Sequence, residues 1–363
     1  MLPKRTNQMS SATPSTMPTR PVLLIGSVPW KSASQVFEAV GQHLGSLAPC
    51  IPDGDQAGWI AAIWGTFPNV EGLEPSRQIA MHERIPVKLQ LFRLKDGFKI
   101  QNLKLGPFHF ATTAARSYED FKRLRSEGKI PKGTRFQVSL PSPMAGSGPI
   151  EAPVEERLPL MEAAMLREIN HILSTIPAAD LAFQWDCIEP ELDESLRRPE
   201  AMPPLFREMG NLWTLEQATA SIARMCNHIP VDVKVGVHLC YGDPGGRHVI
   251  EPVDAAVLVD IANGIAKNLQ RPLNWIHLPV PIERDDPAYF APLKNLKLQR
   301  DTQLYLGLVH QEDGVEGARR RIRAAKEFVT NDFGVATECG FSALPPDTIP
   351  AVLDLHREVA HIV

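Results

Sequence analysis

The chain has 363 residues, of which 44% are hydrophobic and 22% charged, and 38 Lys+Arg face 42 Asp+Glu. This make-up excludes a disordered polymer, a coiled coil and a disulfide-stapled mini-protein. The formal charge of −4 gives no basic field for nucleic acid, and no apolar run nears the ~18 residues of a membrane helix. Proline, at 33 residues, is nearly twice as frequent as the usual ~5%, which points to many shaped loops on a rigid scaffold. Five cysteines without framework spacing (Cys50, Cys187, Cys226, Cys240, Cys339) suit a reducing compartment, and the expected location is the cytoplasm.

Residues 1–20 are basic, Ser/Thr-rich and free of Asp and Glu, and they read as a disordered tail. From residue 21 to 363 a single domain is expected. Eight short apolar runs recur along it, at 22–27, 107–112, 136–140, 181–187, 231–240, 274–280, 303–310 and 333–339. Near-continuous apolar runs suit strands buried on both faces of a parallel sheet. The stretches between them read as helices. Val315, Ala318, Ile322, Ala325 and Val329 share a face, and Thr214 with Gln217 forms a capping box. Eight strand–helix units predict an α/β fold, a (β/α)8 TIM barrel. A doubly wound open sheet is the runner-up, but no Gly-rich fingerprint follows the first strand. Two insertions are expected. Residues 29–85, carrying Trp30, Trp59 and Trp64, form a lid after strand one. Residues 87–94 and 98–105, joined by Lys95-Asp96-Gly97, form a β-hairpin before strand two.

In such a barrel the site lies at the C-terminal ends of the strands. Polar residues end these strands: Ser27, His109, Asp186, His238 with Cys240, His277, His310, and Cys339. His238-Leu239-Cys240 puts two ligand types on one strand face, because side chains alternate with period two. Cys339 can add a second sulfur, and a His/Cys/Cys set suits Zn2+. Buried free cysteine and packed histidine explain the same residues without a metal. The loop from Tyr241 to His248, with Arg247, can cradle an anion or be a plain mobile loop.

At these residues the chain resembles the barrel family of cobalamin-independent methionine synthase, specifically its C-terminal catalytic barrel. The related coenzyme M methyltransferases and uroporphyrinogen decarboxylase share that likeness. The family's substrate-holding Ile-Gly-Ser turn matches Ile25-Gly26-Ser27, and its zinc-binding H-x-C-Y matches His238 to Tyr241. A later strand ending in His matches His310, and the zinc cysteine followed by Gly matches Cys339-Gly340. The resemblance implies Zn2+ on His238, Cys240 and Cys339, with substrate contacts at Gly26, Ser27, His109 and Tyr241, and the 241–248 loop adds Arg247 as a further substrate-binding candidate. His310 and Asp186 are then the catalytic candidates.

The departures carry information too. His277 stands where the synthase has a zinc-binding Glu, and so becomes the expected fourth ligand. Phe110-Ala111 after His109 lacks the carboxylate that helps hold the amino group of homocysteine. The expected activity is therefore zinc-dependent alkyl (methyl) transfer to or from a thiol, short of methionine synthesis itself. Two enzymatic alternatives are a metal-free lyase or decarboxylase, using Arg247, His248, Asp186 and His310, and zinc-assisted cleavage of an oxygen-bearing substrate. A non-enzymatic binding barrel is a third. The expected partner is a small molecule, with no nucleic acid or membrane, and a homo-oligomer is compatible.

Overall fold

The computed structural model describes residues 19–242, 244 and 247–362. In chain order the strands are β1 (Cys50–Pro52), β2 (Leu73–His82), β3 (Ile85–Leu94), β4 (Arg135–Pro141), β5 (Leu181–Cys187), β6 (Lys234–Leu239), β7 (Trp275–Pro279), β8 (Gln303–Val309) and β9 (Phe333–Thr337). The helices of the first half are α1 (Ala33–His43), α2 (Trp59–Trp64), α3 (Phe110–Ser126), α4 (Pro143–Ser147), α5 (Val154–Thr175) and α6 (Glu189–Arg197). Those of the second half are α7 (Pro204–Met209), α8 (Leu215–His228), α9 (Ala256–Asn268), α10 (Pro287–Phe290), α11 (Gly314–Lys326) and α12 (Ile349–Ala360).

Seven strands form one curled parallel sheet in the order β1-β4-β5-β6-β7-β8-β9, and β2 with β3 forms a separate antiparallel pair. Residues 22–27 run extended beside both edges of the large sheet. Val22 bridges Val335 of β9, and Ser27 bridges Gly54 just beyond β1. The expected capping box forms: Thr214 Oγ accepts from the Gln217 N–H at 3.2 Å, and Gln217 Oε1 accepts from the Thr214 N–H at 2.9 Å.

Period-two alternation sorts the sheet residues onto two faces. Phe136, Val138 and Leu140 of β4 and Phe183, Trp185 and Cys187 of β5 join the large core with the helices. The opposite face carries a small second core of Leu23, Ile25, Cys50, Ala182, Trp275, Tyr305 and Ala336. Two glycines make room for its large rings. A Cβ on Gly236 would lie 1.9 Å from the Trp275 indole, and one on Gly334 would lie 2.4 Å from the Tyr305 ring.

Polar side chains stand above this plug on the same face. Gln137 donates to the carbonyls of Leu24 and Ile25 at 3.1 and 3.2 Å, and Ser139 donates to Ile25 at 3.1 Å. Gln184 donates to the Ile25 carbonyl as well, while its own oxygen accepts from the Trp275 indole N–H at 3.1 Å. These amides fasten residues 22–27 to β4 and β5, since a buried carbonyl left unpaired is costly.

Four expectations need correction. The run at 107–112 is not a strand. His109 takes a left-handed conformation at φ 65°, and α3 begins at the next residue. The carboxylate of Glu168 accepts from the N–H groups of Phe108 and Ala111 at 2.8 Å each and so caps that helix, while Phe108 and Phe110 fill the core. The second sheet position belongs instead to β1, inside the stretch read as an insertion after strand one. The hairpin is displaced: β3 pairs with the preceding β2 around Glu83-Arg84, and 98–105 holds only a single helical turn and coil. The tail falls outside the described residues up to 18. Arg20 already belongs to the fold, donating to the Phe333 carbonyl at 2.8 Å.

Because Gly236 has the Trp275 ring where a methyl would go, Gly236→Ala should displace that ring and lower stability by about 1–3 kcal/mol. Urea unfolding followed by tryptophan fluorescence checks this, and an unchanged midpoint would show that the interior yields freely.

Candidate metal centre

The parallel register sets Asp186 of β5 level with His238 of β6, and His238 level with His277 of β7. All three therefore point to the face above the Trp275 and Tyr305 plug. Cys240 follows His238 by two residues and lies just past the end of β6. Cys339 lies just past β9. Gly340, next in sequence, is closely approached: a Cβ there would fall 2.1 Å from Ser27 Oγ, and the Phe341 N–H donates to the Ser27 carbonyl at 2.7 Å. A residue without a side chain is what lets Cys339 and Ser27 share the mouth.

His238, Cys240 and Cys339 bring one ligand atom each into a group whose members all lie within 4.8 Å of one another. The two sulfurs are 3.6 Å apart, and Cys339 Sγ is 3.9 Å from His238 Nε2. A tetrahedral zinc, with Zn–S of about 2.3 Å and Zn–N of about 2.0–2.1 Å, sets ligand atoms roughly 3.6–3.8 Å apart. The residues present thus fit zinc in donor type and in spacing. The Gly242 N–H donates to Cys240 Sγ at 3.3 Å, a bond that favours thiolate. Burial lowers the His238 pKa to about 3, so the ring is neutral and offers a lone pair. His277 does not join the group. Its Nδ1 lies 2.8 Å from His238 Nδ1, on the other side of that ring from the Nε2 that approaches Cys339.

Two cavities meet at the cysteines. The inner one, of about 360 Å³, is lined by His238, Cys240 and Cys339 together with Gly26, Ser27, Asp55, Asp186, Trp59 and Trp64. The outer crevice, of about 1150 Å³, shares Cys240, Cys339 and Gly242 and runs past Tyr241, Arg247 and His248. Asp243, Gly245 and Gly246 of the expected anion loop lie outside the described residues. His248 is held on both ring nitrogens, by Glu251 at 2.9 Å and Glu338 at 3.1 Å. Burial opposes its charge, but the two carboxylates prevail and carry its pKa up to about 10.

Not every expected residue reaches this place. His109 lines a separate groove with Arg167 and His171, because its strand does not exist. His310 spends Nε2 on the Val280 carbonyl at 2.9 Å and lines neither of the two cavities. Asp55 was missed. It follows β1, whose three residues gave too short an apolar run to read, and the signal available was the pair Asp53 and Asp55 flanking Gly54. Burial first, and Asp53 second, raise the Asp55 pKa to about 8. Burial likewise raises Asp186 well above the carboxylate range, against the Gln184 amide that donates to it at 2.9 Å, and Asp55 adds to the rise.

No family model matches the sequence and no curated protein does. Solved structures do match. A B12-independent methionine synthase from Shewanella sp. W3-18-1, in complex with selenomethionine, aligns with a TM-score of 0.62 and 14% identity over 94% of this chain and 97% of that one. A putative vitamin-B12-independent methionine synthase from Listeria monocytogenes aligns with a TM-score of 0.52 and 16% identity, over 90% and 86%. At these identities the likeness is one of fold, an α/β chain with a curled parallel sheet. No helix among the described residues is long and apolar enough to cross a membrane.

Asp55 keeps its proton in the folded chain until about pH 8, whereas an unfolded carboxyl ionises near 3.9. The stability this proton preference supplies is complete below about pH 4 and drains away as the pH climbs towards 8. Asp55→Asn should therefore flatten the fall of Tm between pH 5 and pH 9. Parallel curves for the two proteins would show that Asp55 ionises normally.

Proposed function

We propose that this chain is an eight-stave (β/α)8 barrel, with residues 22–27 as the eighth stave, that transfers an alkyl group to or from a thiol at a zinc held by His238, Cys240 and Cys339. The observation that carries this reading is the cluster of two sulfurs 3.6 Å apart and an imidazole nitrogen 3.9 Å from one of them, all three within 4.8 Å of one another. Zinc bound there lowers the pKa of a substrate thiol, so that a competent nucleophile exists at neutral pH. As the new S–C bond forms, the donor's bond to the same carbon breaks and the leaving group takes the electron pair.

The chain's own residues do the rest. His238, Cys240 and Cys339 all border the 360 Å³ inner cavity, so a substrate sulfur reaches them from that side. Trp59 and Trp64 of α2 wall the cavity and shed water from it. Asp186, whose pKa burial raises, is held by Gln184 and is the group placed to hold or move a proton beside the reacting groups. Asp55 and Asp186 line the cavity and, among the described residues, no Lys or Arg does, so the substrate end resting there is neutral or cationic. The fold likeness to the methionine synthase structures agrees with this chemistry.

Metal analysis of the purified protein should find about one zinc per chain. Cys240→Ser and Cys339→Ser should each lose it together with thiol alkylation. Alkylation or lyase activity that survives both substitutions without metal would overturn the proposal in favour of a metal-free barrel enzyme.

A further inference from the structure

We infer that His277 is a positioning residue: it fixes the ring of His238 for a metal site with three protein ligands, whose fourth position is open to the inner cavity. The inference rests on the zinc reading above and deepens it by assigning the open position.

The argument begins with distance. Two imidazole nitrogens on one tetrahedral zinc stand roughly 3.3 Å apart, from Zn–N bonds of about 2.0–2.1 Å. The two Nδ1 atoms of His238 and His277 are 2.8 Å apart, a hydrogen-bond separation. His238 turns Nε2 towards Cys339, so its metal-binding lone pair is on Nε2 and its proton is on Nδ1. His238 Nδ1–H then donates and His277 Nδ1 accepts, which puts the His277 proton on Nε2. That side of the ring faces the Thr337 backbone, although no well-aligned hydrogen bond reaches it. The Thr337 hydroxyl donates to the Cys339 carbonyl at 2.7 Å. The end of β9 thus meets the site twice, through Cys339 and against the ring that steadies His238.

The chemistry of the donor set follows. Two thiolates and one neutral imidazole balance the charge of a divalent zinc, whereas a carboxylate in place of His277 could add a third anion. A catalytic zinc keeps three protein ligands and one position for an exogenous group. Here all three ligands border the inner cavity and only the two cysteines border the outer crevice, so the exogenous group comes from the inner side. A neutral imidazole is also a weaker partner for the ligand histidine than the usual carboxylate, and leaves the zinc more electron-poor.

X-ray absorption of the zinc-loaded full-length protein tests this without reference to activity. The expected first shell holds two sulfurs, one imidazole nitrogen and one light exogenous atom, with outer-shell scattering from a single ring. His277→Ala should leave the sulfur and imidazole counts unchanged while weakening zinc retention, read by chelator competition, by about 10–100-fold. His277→Gln, whose side-chain oxygen can accept from His238 Nδ1–H, should recover most of that loss. Two imidazoles in the wild-type spectrum would overturn the inference alone, and this reading needs no variant to fold. Equal retention in the Ala and Gln variants would overturn the positioning role. Failure of the wild type to take up zinc would overturn the zinc reading and this inference together.

Discussion

Parallel strands in register put their partnered residues at one height, and everything at this site depends on that constraint. Asp186, His238 and His277 belong to three consecutive strands and stand level. None of them could be moved by one residue along its strand without turning to the helix-facing side. The plug beneath them, with Trp275 and Tyr305 fitted over Gly236 and Gly334, fixes the height at which packing stops and polar chemistry starts. The amides of Gln137 and Gln184 mark that boundary. They satisfy the carbonyls of residues 22–27 below, and Gln184 holds Asp186 above.

Much of this was legible in the sequence because it depends on short-range rules. Period-two spacing placed His238 and Cys240 on one face, and apolar runs ending in polar residues located the later strands to within three residues at either end. The capping box at Thr214 was written in two residues. What escaped depended on longer-range facts. Phe108-His109-Phe110 looks like a strand, but its two rings fill the helix-facing core, and Glu168, about sixty residues on, caps a helix there. β1 is only three residues long, held in the sheet by β4, and so Asp55 beyond it was missed although Asp53 and Asp55 flank Gly54. The hairpin expectation found the strand at 87–94 but gave it the following segment as partner, whereas it pairs with the preceding β2.

His277 shows the limit of reading a site by type and position. Its strand, height and orientation matched those of a ligand. The side it presents to His238 is set by side-chain conformation, which spacing does not encode. An imidazole at this strand position therefore meets the neighbouring histidine ring, with the two Nδ1 atoms 2.8 Å apart, and stays outside the group formed by His238, Cys240 and Cys339.

The separation of the two cysteines has a consequence for how the molecule comes into being. Cys240 and Cys339 are 99 residues apart, and three strands, β7 to β9, must dock in order before their sulfurs approach. Contacts of such sequence separation form late and slowly. During synthesis the first cysteine and its histidine emerge well before their partner, with a half-formed binding edge exposed. The complete triangle exists only after the last strand has closed against Val22. Any metal that the triangle can hold would thereby have to await completion of the fold, since a chain stalled before β9 lacks the Cys339 sulfur.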